Sequence, residues 1–136
     1  MKKVVLALAL FVLAGGGTAV YLRGKLNQDW VAMTGMLRIK KGMPEWYFDR
    51  EDPDQLRVAS RLQRVYQLTD AKGSVLQSSD VYPALDDGSP VGAKPTWKIR
   101  RDERGYAYLI RSGVVYSNDR ARDPYFVAIG RPLGRW

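Results

Sequence analysis

The chain contains neither cysteine nor histidine in its 136 residues. Without thiols there is no disulfide framework, no lipid-modified cysteine and no thiolate nucleophile. Without imidazole there is no Ser-His-Asp triad, no histidine metal site and no phosphoacceptor histidine. Chemistry would fall to carboxylates alone, and no acidic pair stands in a setting that would perturb its pKa. The expectation is therefore a protein that is not an enzyme and takes no cofactor and no metal. Negative charge is also scarce: 14 Asp and Glu face 22 Lys and Arg, leaving a net charge of +8.

Long apolar runs are absent too, with one exception. Val4 to Leu22 (VVLALALFVLAGGGTAVYL) carries no charge and is flanked by Lys2, Lys3 and Arg23. As a helix it would be about 28 Å long, close to the ~30 Å hydrocarbon core of a bilayer. A cleaved signal peptide is the competing reading, because Gly17 and Ala19 resemble a processing site. The run continues through Val20, Tyr21 and Leu22 before any charge, which favours retention as an anchor over residues 1–25. The free amino terminus adds to Lys2 and Lys3 on the inner side, so residues 26–136 are expected outside the cytoplasm.

The chain beyond the anchor is long enough for one small domain and too short for two. Leu26, Trp30, Met33 and Leu37 recur at 4-3-4 spacing and predict a continuing membrane-proximal helix to about Ile39, stopped by Gly42 and Pro44. The stripe suits packing on the domain's own sheet, with a seam in a homodimer as the alternative. Asp52-Pro53 followed by Gln55 predicts a second helix with a capping box, its apolar side being Leu56, Ala59 and Leu62.

From Arg64 the pattern becomes short Val-, Tyr- and Ile-rich runs between turns. RVYQLT-DAKG-SVLQSS and WKIRR-DERG-YAYLIR each read as a hairpin, with Asp bonding the turn backbone and Gly at positive φ. Each D-x-x-G has too few ligands for calcium. Val81 to Pro95 reads as a long loop, and YFVAIG as a central strand covered on both faces. The fold class is α+β with a small antiparallel sheet.

Basic residues crowd the last third, with Arg100, Arg101 and Arg104 as a candidate basic surface among Tyr106, Tyr108, Tyr116 and Tyr125. In a free protein that pattern would point to nucleic acid. Next to an anchor it suits the anionic headgroups of the lipid bilayer, against the plain alternative of a solvated strand surface. The candidate contacts for a small ligand are Tyr106, Tyr108 and Arg111, with the Val81 to Pro95 loop as a cover. Core packing is the competing role for the tyrosines.

The order of elements, with VYQLTDAKGSVLQSS and GYAYLIRSGVV followed by DPYFVAIGRPL, resembles the N-terminal extracytoplasmic region of bacterial transmembrane sensor histidine kinases. The resemblance spans most of residues 1 to 133 and implies a PAS-like sensor fold, a periplasmic domain on the inner membrane, homodimers and signalling to a kinase portion. It brings no catalytic or ligand residues to these positions. The sequence holds no second membrane helix, HAMP-like linker or nucleotide-binding domain, so kinase activity is not assigned to it. The leading expectation is a membrane-anchored sensory or ligand-recognition domain. The alternative is a single-pass envelope subunit that acts through its basic domain.

Overall fold

Leu22, Leu26, Met33 and Met36 recur at helical spacing, and residues 20–36 form helix α1 with Leu26 and Met33 fully buried. The computed structural model describes residues 20–82 and 94–135. Most of the apolar Val4 to Leu22 run therefore lies outside the described residues, as do Pro83 to Ala93 of the predicted loop. Among the described residues no helix is long and apolar enough to cross a membrane.

The helix ends at residue 36, three positions before the predicted end at Ile39. Leu37–Lys40 is strand β1, paired antiparallel with β2 (Met43–Trp46). Leu37 fits both a 4-residue helical step and the in-out alternation of Leu37 and Ile39. The alternation prevails because Lys41 and Gly42 adopt φ of 54° and 75°, closing a two-residue hairpin whose twist matches the strands. Asn118 clamps the result: its side chain accepts from Ile39 N at 2.9 Å and its own N–H donates to Ile39 O at 2.7 Å.

Helix α2 (Pro53–Arg64) starts on Asp52, whose carboxylate accepts from the backbone of Asp54 and Gln55. The reciprocal half of the cap differs from a simple capping box, since Gln55 Oε1 accepts from Asp49 N at 2.8 Å. Ala59 and Leu62 are buried, whereas Leu56 is exposed, so the buried side is narrower than predicted.

The remaining strands, β3 (Tyr66–Asp70), β4 (Val75–Ser78), β5 (Thr96–Arg101), β6 (Tyr106–Tyr116) and β7 (Pro124–Arg135), form one antiparallel sheet in the order β4-β3-β7-β6-β5. Both predicted hairpins are present. In each turn the aspartate, Asp70 or Asp102, accepts two backbone N–H bonds, while Gly73 and Gly105 take φ of 86° and 84°. The last strand lies between the hairpins. Tyr125, Val127 and Ile129 face the α1 side, where they pack with Leu26, Met33, Leu68 and Leu109. Burying such a side chain contributes about 1.5–3 kcal/mol. On the opposite face, Ala128 packs with Val65, Tyr82 and Ile110.

The stripe from Leu26 to Leu37 therefore meets the chain's own sheet. Trp30 is partly buried against it, with its ring 3.1 Å from where a Cβ on Gly113 would stand, and Leu37 belongs to β1. Leu26 and Met33 are both inaccessible in this packing, while Trp30 is only partly buried.

Candidate functional site

A strand turns successive side chains to opposite faces, and this separates the three residues expected to share a ligand. Arg111 lies on the α1 face of β6, stacked on Trp30 with its guanidinium carbon 4.0 Å from the ring centroid. Tyr108 lies on the opposite face, where it packs against the cluster of Val65, Tyr82, Ile110 and Ala128. Tyr106, also even-numbered, is half-exposed beside the β5–β6 turn. Tyr106, Tyr108 and Arg111 do not form one site, because an odd and an even position on a regular strand cannot converge. Alternation also divides Arg100 from Arg101, which pair with Tyr108 and Ala107, while Arg104 sits in the turn.

The α1 face gathers residues that no local motif signals. Asp29 is 3 % exposed, and its carboxylate accepts from Arg61 Nη2 at 2.9 Å and from Arg131 Nε and Nη2 at 2.6 and 3.0 Å. The Arg131 contact is a fork, the geometry that best matches a planar guanidinium to a carboxylate. Its hydrogen bonds to Asp29 raise the Arg131 pKa above the ordinary arginine value, outweighing the opposing effect of burial. Three hydrogen bonds from two arginines occupy both Asp29 oxygens, so the carboxylate is not open to a ligand. It serves instead to join α1 to α2 and β7, across 32 and 102 residues of sequence.

Elsewhere on this face, Arg111 also meets a second indole, that of Trp97, at 5.5 Å. Trp97 in turn receives Arg23 from α1 at 4.8 Å. Among the described residues Arg111 has no carboxylate partner: its Nε and Nη1 are buried without a hydrogen-bond acceptor, and burial lowers its pKa. Arg61 Nε is likewise buried and without an acceptor. Each such group costs roughly 1–3 kcal/mol unless something satisfies it.

Beside the Asp29 cluster is a cleft of about 220 Å³, lined by Leu22 of α1, Arg61 and Arg64 of α2, Val65, and Gly130, Arg131 and Pro132 of β7. The start of α1 and the end of β7 therefore share one pole of the domain. Tyr106 pairs with the terminal Arg135 of β7, which brings the β5–β6 turn and Arg104 to the same pole. Three arginines line the cleft, and Asp29 is bound to two of them, Arg61 and Arg131. Such a site attracts anions. Among the described residues no group of acidic side chains is placed to hold a metal ion.

Further clefts among the described residues lie away from the basic pole. One of about 210 Å³ lies at the opposite end of α1, between Met33, Ile39, Val115 and Asn118. A broader one, about 520 Å³, lies between β2 and α2 around Trp46, Phe48 and Gln63. The chain matches no family model, no curated protein and no solved structure.

Proposed function

We propose that this chain is a membrane-anchored extracytoplasmic recognition domain, similar to the input regions of bacterial sensor histidine kinases, and that it has no catalytic activity of its own. The observation that carries the reading is the Asp29 junction. α1 is the element continuous with the apolar run, and its carboxylate is locked to both α2 and the last strand. A ligand that shifts the sheet would pull on α1 directly, as a domain that reports through a membrane helix requires. The sheet supports the same reading: two hairpins flank the last strand and a long N-terminal helix crosses one face, the arrangement expected of a PAS-like sensor. On this reading residues 1–25 anchor the chain in the cytoplasmic membrane, the domain faces the periplasm, and the output partner is a kinase portion.

The absence of cysteine makes the test clean. Lys72 lies in the exposed turn of the first hairpin, so Lys72→Cys supplies a single accessible thiol. In cells whose outer membrane alone is permeabilised, an impermeant maleimide should label it. Labelling only after the inner membrane is broken would place the domain on the cytoplasmic side and overturn the proposal.

A second reading, an envelope interaction subunit, is favoured by the basic residues at the pole where α1 begins. It requires that replacing Arg100, Arg101 and Arg104 together by Glu abolish co-purification of a membrane partner. Retention of the partner would exclude it.

A further inference from the structure

We propose that the cleft between the start of α1, the end of α2 and the end of β7 is a binding site for a phosphate group. This goes beyond the sensory reading and holds on whichever side of the membrane the domain lies. The cleft of about 220 Å³ offers roughly seven times the ~30 Å³ that one water occupies in the liquid. Arg61, Arg64 and Arg131 line it. Asp29 neutralises one of the three positive charges, so the cleft keeps an excess of two.

The arginines differ in what they have left to give. Arg131 uses Nε and one Nη on Asp29, in a forked pair that fixes its position. Arg61 gives one Nη to Asp29 and keeps a buried Nε with no acceptor. Arg64 is exposed and forms no hydrogen bond or ion pair among the described residues. Asp29 therefore acts as a positioning residue that holds two guanidiniums rigid, and Arg64 is the arm free to close on an incoming anion. A phosphate oxygen suits this set better than a single carboxylate, since it can accept several forked N–H donors from different directions.

The site lies at the pole from which the apolar run joins α1, with Leu22 in its wall. The same chemistry could thus take the phosphate of an anionic lipid headgroup or a free phosphate. The test uses the full chain in lipid nanodiscs and reads its thermal unfolding midpoint. One arm adds inorganic phosphate to phosphatidylcholine discs against chloride at equal ionic strength. The other replaces part of the phosphatidylcholine by phosphatidylglycerol. Both arms are run on the parent chain, on Arg64→Gln and on Arg57→Gln, an exposed arginine of the same helix outside the cleft.

A raised midpoint in at least one arm is expected, with apparent affinity falling about tenfold or more in Arg64→Gln and staying near the parent value in Arg57→Gln. A response to phosphate in neutral discs identifies a soluble ligand. A response to phosphatidylglycerol alone identifies a headgroup. No response in either arm, or equal losses in the two variants, would mean that the pole carries only diffuse charge and would overturn the proposal. Arg64 has no partner to lose among the described residues, so the variant's midpoint in chloride and neutral lipid should match the parent and separate binding from folding.

Discussion

Asp29 receives three hydrogen bonds from two arginines while only 3 % of it is exposed to solvent, so removing its charge strands two guanidiniums next to a neutral amide. Breaking one side of a buried ion pair costs more than the pair itself contributes. Asp29→Asn should destabilise the domain by ~3–5 kcal/mol in denaturant titration of the full chain. Arg111 sets up the opposite case. Stacking on Trp30 contributes about 0.5–2 kcal/mol, and two buried donors without acceptors cost about as much or more. Arg111→Met keeps the packing and removes the unpartnered donors, so its stability should stay within about 1 kcal/mol of the parent. A loss as large as that of Asp29→Asn would mean that Arg111 carries an interaction beyond the indoles. Neither residue's role can be read from sequence alone. Asp29 and Arg131 are 102 positions apart, and nothing local to either names the other. The incompatibility of Tyr108 with Arg111 was legible, because three steps along a strand reverse the face.

At the scale of elements, the parts governed by local chemistry were legible. Asp-x-x-Gly placed both hairpin turns, and Asp52-Pro53 placed the start of α2, because these signals act within a few residues. The β1–β2 hairpin was not legible, since Leu37 continues the helical stripe and Gly42 with Pro44 serves equally as a helix stop or a hairpin turn. The deciding contact is a long-range partner, Asn118, which completes a two-point bond with Ile39. Asn118→Ala leaves the buried Ile39 N–H without its acceptor and should cost roughly 1–3 kcal/mol. Hydrogen exchange should then quicken at Ile39 more than in the β3–β7 ladder. Equal change throughout would mean that β1 is held by other contacts. In β7 the sensitive position is Gly130: an added Cβ would stand 2.5 Å from Ile110 Cδ1, 2.8 Å from Val65 Cγ1 and 3.1 Å from the Leu109 carbonyl. Gly130→Ala should lower stability by about 1–3 kcal/mol through overpacking. Gly113→Ala meets only the Trp30 ring edge, at 3.1–3.2 Å, and should cost less. The order of these two variants in a urea series checks the assignment.

The whole molecule brings three distant elements onto one buried phenol, and this sets its response to alkali. Tyr66 of β3 is 3 % exposed, its hydroxyl donates to Gln77 Oε1 of β4 at 2.8 Å, and the Trp46 ring of β2 lies edge-on at 5.3 Å. Burial pushes its pKa well above the ordinary value of 10.0, and the hydrogen bond from Trp46 opposes this only in part. Unfolding exposes the phenol and returns it to that ordinary value. Above about pH 10 the unfolded chain thus releases a proton that the folded chain retains, and stability falls as pH rises. The contribution is complete below pH ~10 and is lost progressively towards the folded pKa. Tyr125, also raised chiefly by burial, acts in the same direction, so Tyr66→Phe should flatten the decline without abolishing it. At neutral pH the variant forfeits one neutral hydrogen bond, about 0.5–1.5 kcal/mol. Urea midpoints of parent and variant should consequently differ most near neutrality and converge as the pH passes 10. Parallel curves across that range would show that the Tyr66 hydroxyl ionises alike in both states, and that the closure of β2, β3 and β4 around it is looser than the geometry indicates.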